Sequence, residues 1–178
     1  MKELSLHILD IVQNSIVANA TLIDIRIVED AEDDILSISI VDNGKGMEPE
    51  MLQRVTDPYT TSRTTRKVGM GIPLLNDACR IAGGCLAIES TRSKGTEVKA
   101  IMGLSHIDRQ PLGDIVGVLI ILISANPDID FTYTHTRNRN RYFFSTIEVK
   151  EVLEGLPINS PEVTKMIREM ISSNLEEL

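Results

Sequence analysis

The chain has 178 residues, 42% of them hydrophobic, with three Phe, three Tyr, no Trp and a formal net charge of −8 at pH 7. That length holds one domain, alone or with an appendage, around an aliphatic core. The acidic excess, spread over both halves, excludes the basic surface that a phosphate-backbone binder needs, so no nucleic-acid partner is expected. The longest apolar run, Ile115 to Ala125, falls well short of the roughly 20 residues that span a bilayer. No signal-like leader opens the sequence, and two cysteines, Cys79 and Cys85, build neither a disulfide framework nor a zinc site. A cytoplasmic protein with no membrane partner is expected.

Residues 4 to 19 read as the opening helix, with Leu4, Ile8, Leu9, Ile11, Val12 and Ile16 at helical spacing. His7, Asp10 and Asn14, spaced i, i+3, i+7, share one face of it. A stripe of short directional polar groups on so apolar a helix suggests a lined cavity. Two strands follow, Leu22 to Glu29 and Ile35 to Val41, joined by an acidic turn, Asp30 to Asp34, that reads as solvated. The second strand breaks into Asp42-Asn43-Gly44-Lys45-Gly46-Met47. A carboxylate at the mouth of the core, followed by two residues without Cβ, suits a planar, amine-bearing ligand. Asp-Asn-Gly is also a common turn, and these residues alone leave both readings open.

After a short helix near Met47 to Val55 comes a polar stretch, Asp57 to Lys67, with almost nothing apolar to anchor it, so it is expected to be mobile. Gly69-Met70-Gly71 feeds a helix from Ile72 to Ile81 that Gly83-Gly84 stops. Free amides and the helix dipole make such a junction an anion site, or else it is only a tight loop. Cys85 to Thr91 and Glu97 to Met102 form a hairpin through Ser93 to Thr96. The unit reads as α+β, with helices on one face of a largely antiparallel sheet.

These stretches, taken in order from Leu4 to Met102, resemble the ATP-binding domain shared by gyrase, Hsp90, sensor histidine kinases and MutL, and look most like the sensor-kinase and anti-sigma-factor branch. The matching segments are an asparagine box, Asp10 to Asn14; a first glycine box, Asp42 to Gly46; a lid, Asp57 to Lys67; a second glycine box, Gly69 to Gly71; and Gly95-Thr96. The resemblance implies a two-layer α/β sandwich of the Bergerat type that binds ATP with Mg²⁺. Asn14 would ligate the metal. Asp42 would accept the adenine amine, joined by Thr96, with Gly44 and Gly46 letting the base lie close and Met47 beside them. Gly69, Met70 and Gly71 would offer the phosphates their amides, under Thr61, Ser62 and Arg63 of the lid. Where hydrolysing members carry a water-activating glutamate, this chain has Asp10, so catalysis by Asp10 is in question while binding is not. His7 is expected to hydrogen-bond rather than to accept phosphate.

The resemblance ends near Gly103, dividing the chain into an ATP-binding domain, 1–103, and a small α+β domain, 104–178. In the second, Pro111 and Gly113 open an apolar helix to Ser124, Phe131 to Thr136 and Tyr142 to Ile147 form a hairpin with an arginine-rich tip, and helices span Ile147 to Leu153 and Pro161 to Leu175. The expected function is a histidine-kinase-like regulator that phosphorylates, or controls through ATP, a separate protein partner. The alternative is a non-catalytic nucleotide-gated switch. A homodimer stays open.

Overall fold

Helices and strands expected from the sequence form in that order in the computed structural model, which describes residues 2–56 and 71–178. Helix α1 covers Leu4–Val17, followed by β1 (Leu22–Asp30), β2 (Ile35–Asp42), α2 (Pro49–Thr56), α3 (Gly71–Ile81), β3 (Cys85–Thr91) and β4 (Gly95–Gly103). Then come α4 (Ile115–Ala125), β5 (Asp130–Arg137), β6 (Asn140–Ser145), α5 (Thr146–Val152) and α6 (Pro161–Glu176). The fold is α+β, with one sheet of order β3-β4-β2-β1-β5-β6. Neighbouring strands run antiparallel except β1 and β5, which are parallel.

Alternation along the strands gives the sheet two unlike faces. Ile23, Ile25 and Ile27 of β1 are fully buried, and Leu36, Ile38 and Ile40 of β2 lie beside them, whereas Leu22, Arg26 and Val28 are exposed. Against the buried face pack α1, α3, α4 and α6, whose apolar residues join the strands in one cluster. The core is aliphatic apart from Phe131, Tyr133 and Phe144, as the composition required.

Gly103 is the last residue of β4. The segment after it runs back past the first turn of α1, where Leu4 N–H donates to Pro111 O (2.9 Å) and Ser5 N–H to Leu112 O (2.8 Å). Glu3 makes no side-chain cap, so these carbonyls satisfy helix-start amides that would otherwise lack partners. Helix α4 begins at Ile115, later than Pro111 and Gly113 suggested, because Asp114 caps it by accepting from Gly117 N–H at 2.7 Å. Strand β5 then lies beside β1, so the strands that follow Gly103 extend the same sheet. Among the described residues no helix is long and apolar enough to cross a membrane.

The acidic turn does more than face water. Asp30 accepts from Glu32 N–H and Asp33 N–H, and Asp34 binds both the amide and the hydroxyl of Ser105. In the hairpin, residues 137 to 141 are exposed, as a basic tip requires, and Arg137 also pairs with Glu29 at 3.1 Å.

Candidate functional site

Helix α1, the turn after β2, the start of α3 and the β3–β4 hairpin meet at one end of the sheet. Asp42 closes β2 at only 7% exposure. A buried carboxylate needs donors, and Asp42 has two: Ser15 Oγ donates to Oδ2 at 2.6 Å and Gly44 N–H to Oδ1 at 2.8 Å. Thr96 sits directly opposite Asp42 in the β2–β4 register. The Thr96 hydroxyl lies 2.8 Å from Ser90 Oγ, which also accepts from Met47 N–H at 2.8 Å. One serine thus ties Met47 to Thr96.

The glycines are needed here by the chain itself. A Cβ on Gly44 would stand 2.8 Å from Ala18 O, and one on Gly46 (φ +65°) would overlap the Thr91 carbonyl. Gly95 (φ +102°) has the same relation to the Asp42 carbonyl. First glycine box, α1–β1 connection and β3–β4 hairpin therefore interlock through backbone contact at three points.

On α1, His7, Asp10 and Asn14 share a face but meet different neighbours. His7 is 1% exposed, with Nε2 3.0 Å from Gln110 Oε1. Burial, only partly offset by that bond, holds its pKa below the ordinary value. An amide oxygen only accepts, so Nε2 carries the proton, and this is the hydrogen-bonding role anticipated for His7. Asp10 packs against the first residue of α3, since a Cβ on Gly71 would lie 2.8 Å from Asp10 Cβ. The asparagine box thereby touches the end of the second glycine box. Thr61, Ser62, Arg63, Gly69 and Met70 lie outside the described residues.

Among the described residues, two buried side-chain polar atoms lack a hydrogen-bond partner: His7 Nδ1 and Asn14 Nδ2. Both belong to the α1 stripe. The unpartnered end of Asn14 is the amide nitrogen, a donor suited to an oxygen of a ligand, while the carbonyl oxygen at its other end is the atom a hard cation would take. No group of three or more His, Cys, Asp or Glu among the described residues could cage a metal. A cation here would depend on Asn14, water and the oxygens of a ligand.

Sequence reading missed Ser15 and Ser90. Ser15 is 4% exposed on the apolar side of α1, and its signal was a hydroxyl at a position that otherwise belongs to the core. Ser90 reads only as one more polar residue of an alternating strand.

The family model for histidine kinase-, DNA gyrase B-, and HSP90-like ATPases matches residues 2–106. A sensor protein of Shewanella frigidimarina is 30% identical over 103 residues, covering 57% of this chain and 16% of that protein. Sporulation kinase D of Bacillus subtilis is 35% identical over 68 residues, 38% of this chain and 13% of the kinase. The chain thus spans about a sixth or less of the length of these relatives. The ADP-complexed MutL ATPase domain of Aquifex aeolicus superposes with a TM-score of 0.51 at 16% identity, over 86% of this chain and 70% of that one. At that identity the likeness concerns the fold.

Proposed function

Because the chain belongs to the family of histidine kinase-, DNA gyrase B- and HSP90-like ATPases, we propose that it binds Mg-ATP at the end of the sheet and uses it to phosphorylate or regulate a separate protein partner. The observation that carries this reading is the buried Asp42 carboxylate, held by Ser15 and Gly44 and faced by Thr96. Each Asp42 oxygen keeps a further lone-pair direction, so the group accepts a hydrogen bond from the exocyclic amine of adenine. Guanine presents a carbonyl at the same place and would leave the carboxylate unanswered. Thr96 adds a hydroxyl on the neighbouring strand. Gly71 brings the start of α3 and its amides toward the phosphates, with Gly69, Met70, Thr61, Ser62 and Arg63 carried over from the family motif. Asn14 would hold Mg²⁺ through its side-chain carbonyl. Magnesium, when bound, neutralises phosphate charge.

A second reading, a nucleotide-gated switch without turnover, is favoured by one observation. Asp10 stands where a glutamate would activate water, and its Cβ is pinned against Gly71. One methylene less withdraws the carboxylate by about 1 Å, a misplacement that can cost on the order of 100-fold in rate. Calorimetric titration of ATP and ADP with and without Mg²⁺, followed by a phosphate-release assay, tests both readings. Mg²⁺-dependent binding with slow release is expected. Absence of nucleotide binding would remove both.

A further inference from the structure

Asparagine in an Asp-Asn-Gly turn normally bonds to its own backbone two residues on. In this chain Asp42 makes that local bond, to Gly44 N–H, and Asn43 does something else. Its Oδ1 accepts from Thr21 N–H at 2.9 Å and from Leu22 N–H at 3.0 Å, while its Nδ2 donates to Thr21 Oγ1 at 2.9 Å. Lys45 N–H donates to Ala18 O at 2.9 Å. The glycine turn therefore grips the α1–β1 connection at both ends.

That connection, together with the packing of α1 on the core, sets where the last turn of α1 lies relative to β2. The strand ladder places Ile23 opposite Asp42, and Ser15, whose hydroxyl holds Asp42 Oδ2, is tied to that ladder along the chain by residues 18 to 22 and across the core by the apolar face of α1. The three Asn43 bonds are exposed, and water can replace exposed partners at small cost to folding. Their main consequence is registration rather than stability. We infer that Asn43 is a positioning residue for nucleotide selection: by clasping Thr21 and Leu22 it sets Ser15 against Asp42 and so aims the carboxylate that distinguishes adenine from guanine. This rests on the adenine assignment made above for Asp42.

The test compares ATP and GTP affinities by calorimetry in wild type, Asn43→Ala and Asn43→Asp, with melting temperature and amide exchange at Thr21 and Leu22 recorded alongside. Asn43→Ala is expected to fold, to release the two amides to exchange, and to lower the ATP-to-GTP affinity ratio by roughly tenfold, the loss of one well-aimed hydrogen bond. Asn43→Asp keeps the acceptor and should keep both the ratio and the protection. An Asn43→Ala protein with released amides and an unchanged ratio would overturn the inference, and so would one that fails to fold, since the clasp would then be stabilising instead. A wild type that binds ATP and GTP equally would instead overturn the adenine assignment, and this inference with it.

Discussion

Ser15 and Asp42, 27 positions apart in the chain, share a buried hydroxyl–carboxylate hydrogen bond of 2.6 Å. A short bond to a charged acceptor is among the stronger kinds. Ser15→Ala removes it and leaves Asp42 Oδ2 without its donor inside the fold. We expect ATP affinity to fall by about tenfold, with a modest drop in melting temperature. Calorimetry on the variant checks this. Unchanged affinity would mean that the hydroxyl does not aim the carboxylate.

Gly71 and Asp10 join α3 to α1. A methyl group on Gly71 would meet Asp10 Cβ at 2.8 Å, and a Cβ moves only with its helix. Gly71→Ala should destabilise the protein by about 1–3 kcal/mol, the range for overpacking, read as a lower midpoint in urea denaturation. A wild-type midpoint would show that the two helices part easily.

Asp10 also bears on turnover. Asp10→Glu lengthens the carboxylate, leaves Asn14 untouched and ought to raise phosphate release without tightening ATP binding. Asp10→Asn ought to abolish the remaining release. If Asp10→Asn releases phosphate as fast as wild type, Asp10 is no base and the switch reading gains.

Acid should weaken the fold through two buried histidines and one glutamate. Burial lowers the pKa of His135 and of His7 from 6.5, outweighing the bonds to Glu29 and Gln110. Neutral His135 donates from Nε2 to Glu29 Oε1 at 2.7 Å and takes the Tyr133 hydroxyl on Nδ1 at 2.8 Å. For Glu29, burial opposes ionisation, yet hydrogen bonds from His135 and Arg137 hold its pKa below 4.5. In each case the unfolded chain binds protons more readily. Stability is therefore present above the unfolded pKa and lost as pH falls, from 6.5 downward for the histidines and from 4.5 downward for Glu29. Denaturation midpoints should drop between pH 7.5 and 5.5, and His135→Gln should flatten the drop. A flat wild-type profile would contradict this.

Much of the fold is legible because each strand alternates and each glycine pair marks a turn or a helix end. Asp42 was legible for the same reason, as a carboxylate where an apolar strand stops. Long-range pairing was not. No local pattern announces that β5 lies parallel to β1, because strand order depends on how α4 crosses the sheet. Ser15 was hidden as a small polar residue on a core face, and Asn43 behind the ordinary turn chemistry of its tripeptide. His7 was legible as a hydrogen-bonding residue, yet its partner Gln110 lies 103 positions away, in a segment the sequence reads only as a connection.

The proposed function turns on Asp42 accepting the adenine amine. Calorimetric titration of wild type and Asp42→Ala with Mg-ATP and Mg-GTP tests it most directly. Wild type should bind ATP and discriminate against GTP by a few kcal/mol, the cost of leaving a buried carboxylate unpaired, and Asp42→Ala should lose ATP binding. Equal affinity of wild type for the two nucleotides, or wild-type ATP affinity in Asp42→Ala, would contradict that role for Asp42.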